Sequence, residues 1–381
     1  MITVLSVIGT RPETIKMAPV VAELHRFPAR ICSVVCVTAQ HRELLDPILE
    51  LLGVTPDYDL DLMRPNQTLT RVTTAVLSGM EQVLSKVQPD WVLAQGDTTT
   101  VMATALACYY QRIRFGHVEA GLRTGDKFRP YPEEINRVLA DALADLHFAP
   151  TARARDNLLA QGIPGASILV TGNTVVDALL QIAERQIPHA EAALAGIPLW
   201  GKRIVLVTAH RRESFGPGIQ QICDALGDLA ARYPAVQFVY PVHPNPNVTG
   251  PVHRRLGGIA NVSLVAPLEY DALVHLMKRS YLILTDSGGI QEEAPALGKP
   301  VLVLREVSER PEGIAAGVAR LVGRDSARIV QEASTLLDDE SAYAQMARRV
   351  SPYGDGQASR RIVEALLARP AMKGSEAAQR S

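Results

Sequence analysis

A strand-like apolar run ends at Thr285 and is followed at once by Asp286-Ser287-Gly288-Gly289-Ile290-Gln291-Glu292-Glu293. Two glycines between a strand and a helix expose backbone N–H groups at the positive end of the helix. Phosphate oxygens can be cradled there without any lysine. Glu293 falls one to two turns into that helix, where a carboxylate accepts both hydroxyls of a ribose; compensation of the helix dipole is its plainer role. Arg305 and Arg310 supply further cations beside it. A second anion grip is spelled by Gly9-Thr10-Arg11-Pro12-Glu13-Thr14-Ile15-Lys16. There glycine lets the turn approach a ligand, Pro12 opens a helix, and Arg11 and Lys16 lie near its positive end. His210-Arg211-Arg212 reads as an anion-binding or proton-transfer cluster or as a solvated charge run. His243-Pro244-Asn245-Pro246 reads as a proline turn or a ligand contact.

Three carboxylates stand just past other apolar runs. Asp97 lies in Gly96-Asp97-Thr98-Thr99-Thr100, Glu119 in His117-Val118-Glu119-Ala120-Gly121-Leu122-Arg123-Thr124, and Glu133 in Pro132-Glu133-Glu134-Ile135-Asn136-Arg137. Helix capping is the common role of an aspartate such as Asp97, and Glu133 with Glu134 suits a helix dipole. Glu119 has fewer such roles open to it. Three carboxylates on adjacent loops indicate acid–base chemistry or a metal site; with no HxxxH and no paired aspartates, acid–base chemistry is favoured. No G-x-G-x-x-G follows a strand and no G-x-x-x-x-G-K-[ST] occurs, which disfavours a dinucleotide redox cofactor and a P-loop ATPase. No metal and no cofactor is therefore expected.

The elements that must position these groups alternate along the whole chain. Continuous apolar runs at 3–8, 31–37, 91–95, 115–118, 146–149 and 168–170, and again at 204–208, 236–240, 262–265, 282–285 and 301–304, read as strands. Helical periodicity fills segments between them, as at 69–84, 135–144, 219–231 and 328–337. Unbroken apolar strands separated by helices read as parallel sheets covered on both faces. The expected fold is α/β, with two doubly wound Rossmann-like domains. A chain of 381 residues fits two domains, here placed at 1–172 and 173–356, followed by a helix at 357–372 and a disordered tail at 373–381. Lys and Arg number 39 against 40 Asp and Glu, a net charge of −1, so no nucleic-acid partner is expected. Four scattered cysteines, Cys32, Cys36, Cys108 and Cys223, form no disulfide framework, which suits a reducing cytoplasm. No apolar run reaches the roughly 18 residues of a membrane span, and no signal peptide is visible.

At these motifs the chain resembles the bacterial non-hydrolysing UDP-N-acetylglucosamine 2-epimerases. The resemblance runs from Ile8-Gly9-Thr10-Arg11-Pro12-Glu13 to Pro352-Tyr353-Gly354-Asp355-Gly356, with long blocks at 96–100, 116–126, 210–216 and 286–295. It implies two Rossmann-like domains facing a cleft, a GT-B-like arrangement, with the last helix crossing back to the first domain, and a homodimer. The implied reaction is UDP-GlcNAc to UDP-ManNAc, through elimination of UDP to a bound 2-acetamidoglucal and its re-addition, supplying ManNAc units for surface polysaccharide. By the same resemblance Asp97, Glu119, Glu133 and His210 are the catalytic set. Arg11 and Lys16 bind substrate, Ser287, Gly288 and Gly289 hold phosphate, Glu293 holds the ribose, and Arg310 faces the uridine diphosphate.

His243, Leu268 and Leu273 are further candidates for substrate contact. Relatives often carry Gln and an aromatic residue where Leu268 and Leu273 stand, so base recognition is expected to rest on backbone groups and apolar contact. Gln40-His41-Arg42-Glu43 and Asn66 match a loop that binds an activating second substrate in some relatives. An anionic Glu43 and an uncharged Asn66 weaken diphosphate binding there, so allosteric activation is in doubt. A glycosyltransferase of the same architecture, a hydrolysing epimerase and an inactive nucleotide-sugar sensor are the competing readings.

Overall fold

The computed structural model describes residues 1–38, 42–62, 64 and 67–369. They form two compact units, one of Met1–Ala178 with the chain from Gly354 onward, the other of Leu179–Tyr353. The expected tail at 373–381 lies outside the described residues.

In the first unit seven strands form one parallel sheet: β1 (Ile2–Ile8), β2 (Ile31–Val37), β3 (Tyr58–Asp59), β4 (Trp91–Gln95), β5 (Arg114–Val118), β6 (Leu146–Ala149) and β7 (Ile168–Val170), in the order β3-β2-β1-β4-β5-β6-β7. In the second, β8 (Arg203–Thr208), β9 (Val236–Pro241), β10 (Val262–Val265), β11 (Leu282–Thr285), β12 (Val301–Val303) and β13 (Ala319–Leu321) take the order β10-β9-β8-β11-β12-β13. The expected α/β class with two Rossmann-like domains is what the chain adopts. All five residues of β4, and all but the first of β8, are buried, because helices cover both faces of each sheet. Two strands escaped the sequence reading. β3 and β13 are edge strands of two and three residues, too short and too polar to register as apolar runs.

Each sheet reverses its winding once, between β1 and β4 in the first unit and between β8 and β11 in the second. Chains leaving the carboxyl ends of such a strand pair diverge to opposite faces and leave room for a ligand. The motifs at 9–16, 96–100, 208–213 and 286–293 emerge at these four strand ends. The C-terminal helix Ala358–Leu367 packs on the helix Arg11–His25. Its free N–H groups at Ala358 and Ser359 donate to the buried Asp177 carboxylate at 3.2 and 2.8 Å. Among the described residues no helix is long and apolar enough to cross a membrane.

Candidate functional site

In the first unit Gly96, at a φ of 89°, turns the chain out of β4. Thr98 rather than Asp97 caps the helix Thr99–Tyr110, accepting from the Val101 N–H at 3.4 Å. Asp97 is therefore spared the capping role, and its Oδ2 pairs with the Arg137 guanidinium. Asn136 Nδ2 donates to the Asp97 carbonyl at 3.0 Å and fixes the turn from the other side.

Glu119 leaves β5 in the left-handed region, at a φ of 65°, which is costly for any residue but glycine. Its carboxylate accepts from Lys16 Nζ at 2.7 and 2.6 Å, from Asn173 Nδ2 at 2.8 Å and from Gln95 Nε2. Lys16 thus contacts a catalytic candidate directly. Glu133 opens the helix Glu133–Leu143, and its Oε2 is buried with no hydrogen-bond partner among the described residues. The adjacent Glu134 has a different job. It accepts from the Thr124 and Gly125 N–H groups at 3.1 and 3.0 Å and lies 3.4 Å from Arg137, so it clamps the loop that follows Glu119.

The two glycine turns differ in what occupies them. Thr10 and Glu13 form a capping box, with Glu13 Oε2 accepting from the Gly9 and Thr10 N–H groups at 2.5 and 3.2 Å. Half-buried Arg11 is the first residue of that helix. Burial pushes the Glu13 carboxyl up to about 7; the Thr98 side chain and the Gly9 and Thr10 N–H groups oppose the shift, and Asp97 adds to it. A folded-state value above the free one means that the proton stabilises the fold. That contribution is complete below about 4.5 and is lost as pH rises through about 7. Glu13→Gln, which stays neutral, is expected to gain stability relative to the parent over that interval, on the order of 3 kcal/mol. Thermal and denaturant unfolding of both proteins across the interval checks it; a constant difference overturns it.

In the second unit Ser287 stands at the N-cap of the helix Gly288–Ala296 but makes no capping hydrogen bond. This helix end, unlike that at Gly9-Thr10, is not filled by a carboxylate of its own first turn. Glu293 is buried and accepts from the Tyr270 hydroxyl at 2.7 Å. Its neighbour Glu292 pairs with Arg310, whose backbone is held by Ser308 Oγ and the Tyr353 hydroxyl, both at 3.0 Å. Arg305 pairs with Glu213.

Asp286 is fully buried, and its Oδ2 accepts from the His210 and Arg211 N–H groups, both at 2.8 Å. It ties the loop after β8 to the end of β11. The His210 ring stacks on His243 with centroids 5.3 Å apart. Burial pushes the His210 imidazole below its ordinary value; Asp286 opposes that, while His243 and Arg211 reinforce it. Leu268 is half-buried in the loop after β10, and Leu273 is half-buried in the first turn of the helix Tyr270–Arg279. Gln40, His41 and Asn66 lie outside the described residues. Glu43 belongs to the helix Arg42–Leu52, and its side chain is likewise outside them.

The motifs are thus gathered in two groups: Arg11, Lys16, Asp97, Glu119 and Glu133 in the first unit, and His210, His243, Ser287, Gly288, Gly289, Glu293 and Arg310 in the second. Sequence reasoning missed the residues that hold them: Gln95, Asn173 and Arg137 around the carboxylates, Asp286 under His210, and Tyr270 on Glu293. Arg137 carried a signal, since an arginine four residues after Glu133 shares its helix face. Among the described residues no three His, Cys, Asp or Glu side chains are grouped to hold a metal ion. The carboxylates Asp97, Glu119 and Glu133 of the first unit suit proton transfer, and the uncapped helix end of the second unit suits an anion.

The family model described as UDP-N-acetylglucosamine 2-epimerase matches residues 23–367. The UDP-N-acetylglucosamine 2-epimerase of Salmonella typhimurium is 55% identical over 368 residues, covering 95% of this chain and 98% of that protein. The crystal structure of UDP-GlcNAc 2-epimerase from Neisseria meningitidis bound to UDP-GlcNAc is 49% identical with a TM-score of 0.88, over 96% of this chain and all of that one. The Methanocaldococcus jannaschii UDP-GlcNAc 2-epimerase, in complex with UDP-GlcNAc and UDP, is 33% identical with a TM-score of 0.79, over the same shares.

Proposed function

This chain belongs to the UDP-N-acetylglucosamine 2-epimerase family, and from that premise we propose that it interconverts UDP-GlcNAc and UDP-ManNAc without hydrolysing them. The C2 proton is removed as the C1–O bond to UDP breaks, so the electron pair left at C2 becomes the C1–C2 double bond of 2-acetamidoglucal. A proton then returns to C2 from the opposite face as UDP re-adds at C1. No electron is gained or lost, and no redox cofactor is needed.

Loss and return of a proton on opposite faces require more than one positioned group. Asp97, Glu119 and Glu133 are the acid–base residues in this reading. The observation that carries it is their grouping on the β4 and β5 loops and the helix Glu133–Leu143 of one unit, with Arg137 on Asp97, Lys16 on Glu119 and, among the described residues, an unbonded oxygen on Glu133. Negative charge that develops on the departing diphosphate calls for fixed donors. Gly288 and Gly289 supply backbone N–H groups at the uncapped helix end and Ser287 its hydroxyl, the Ser287 N–H being held by Thr285 Oγ1 at 2.9 Å, and Arg310, Arg11 and Lys16 supply positive charge. His210 serves the diphosphate or a proton transfer, Glu293 takes the ribose hydroxyls, and His243, Leu268 and Leu273 line the nucleotide. Tyr270 supports the Glu293 role by donating to one carboxylate oxygen, which orients the other. The enzyme works in this reading as a cytoplasmic homodimer that feeds surface polysaccharide synthesis.

Proton NMR of UDP-GlcNAc with the protein in deuterated water tests the reaction. Deuterium at C2 together with both gluco and manno nucleotide sugars is the expected result. Free ManNAc with UDP would instead make the protein a hydrolysing epimerase. Unchanged substrate without an acceptor, and transfer once an acceptor is added, would make it a glycosyltransferase.

A further inference from the structure

His117 and His147 are register partners on the neighbouring strands β5 and β6, and both are buried. Their surroundings differ. His117 Nε2 lies 2.6 Å from the Gly96 carbonyl oxygen, and Nδ1 lies 2.6 Å from Asp141 Oδ1. A carbonyl oxygen only accepts, so Nε2 must carry a proton. Asp141 also takes Arg123 Nη2 at 2.7 Å and the Gly121 N–H at 3.2 Å on its other oxygen, as an ionised carboxylate does. Nδ1 must then carry a proton too, and both ring nitrogens donate.

His147 meets a different pair. Its Nε2 lies 2.8 Å from the Asp141 carbonyl, and its Nδ1 lies 3.4 Å from Ser167 Oγ, whose own proton goes to the Pro164 carbonyl at 2.8 Å. Neither contact is to a carboxylate.

We infer that His117 is a positioning residue for Asp97: a permanent imidazolium strung between the Asp141 carboxylate and the Gly96 carbonyl, pinning the turn from which Asp97 is presented. The inference rests on the acid–base role assigned to Asp97 above. Gly96 holds a left-handed conformation that nothing in its own side chain enforces. A charge-assisted bond to its carbonyl supplies the missing constraint. The charged groups around the ring are Asp141 from the helix Glu133–Leu143, Arg123 from the loop after β5, and His147 from β6. Burial works against the charge on His117, but Asp141 and the Gly96 carbonyl outweigh it and lift the imidazole above its ordinary value. Burial, reinforced by the His117 charge, outweighs Asp141 and the backbone contacts of Asp141 and Ser167 and leaves His147 below its own.

Nitrogen-15 spectra of histidine-labelled full-length protein read the ring states directly, and the His117→Gln variant assigns the His117 signals by their loss. Both His117 ring nitrogens are expected in the protonated range at about pH 7, with His147 showing the neutral pattern. His117→Gln keeps one donor but no charge. Its kcat for UDP-GlcNAc epimerisation is expected to fall at least about tenfold while KM moves less than about threefold, since the substrate contacts are untouched. A neutral His117 ring at about pH 7, or a folded His117→Gln enzyme with parental kcat, overturns the inference. Should the parent protein leave UDP-GlcNAc unchanged, the proposed function fails instead, and the spectrum still decides the charge of His117.

Discussion

Asp97→Asn is expected to lower kcat for UDP-GlcNAc epimerisation by about 10²–10⁴-fold, the usual worth of a positioned proton-transfer group. The amide keeps the shape of the side chain and can still accept from Arg137, but it can neither take nor give a proton. The fold has little reason to suffer. Thr98, not Asp97, caps the helix Thr99–Tyr110, and Glu134 lies 3.4 Å from Arg137, so the guanidinium retains a counter-charge once Asp97 is neutral. Single-turnover and steady-state rates, read beside the thermal unfolding curve, check the prediction. A folded Asp97→Asn enzyme within about tenfold of the parental kcat would remove Asp97 from the acid–base set. A raised KM with unchanged kcat would make it a binding residue instead.

What the sequence disclosed about this protein follows from how far apart the cooperating residues lie. Parallel strands buried on both faces are written as unbroken apolar runs, and the glycine and carboxylate motifs stand directly after them. Strand ends and site motifs were therefore legible together. β3 and β13 were not, because an edge strand of two or three residues needs little apolar surface. The groups that tune the site were the harder part. Lys16 and Asn173 meet Glu119 across 103 and 54 residues of chain, and Asp286 meets His210 across 76; such pairings exist only once the strand order is known. The reading of Gly9-Thr10 as an anion grip stopped at residue types. Glu13, three residues on from Thr10, completes a capping box and takes the N–H donors that such a grip would offer.

Glu119→Gln is expected to cost at least as much turnover as Asp97→Asn, about 10²–10⁴-fold, and to destabilise the fold as well. The difference lies in the counter-ion. The Lys16 and Glu119 side chains are only 18% and 5% exposed, and Lys16 Nζ bonds both carboxylate oxygens. A neutral amide in place of the Glu119 carboxylate would take away the negative charge that this ammonium faces. Removing one member of a buried ion pair typically costs about 3–5 kcal/mol, and the partial exposure of Lys16 puts this case at the lower end. Charge balance and proton transfer are separable by a second substitution. Lys16→Met removes the ammonium while keeping an apolar stem of similar length. The double variant is therefore expected to regain most of the stability lost by Glu119→Gln. Its kcat is expected to stay below that of Lys16→Met alone, because the amide has no proton to exchange and the loss of the Lys16 charge is common to both. Unfolding free energies of the four proteins in a double-mutant cycle give the coupling of the pair, and kcat at saturating UDP-GlcNAc gives the chemistry. Recovery of turnover along with stability would show that Glu119 serves only to hold Lys16, and the acid–base role would pass to Asp97 and Glu133 alone.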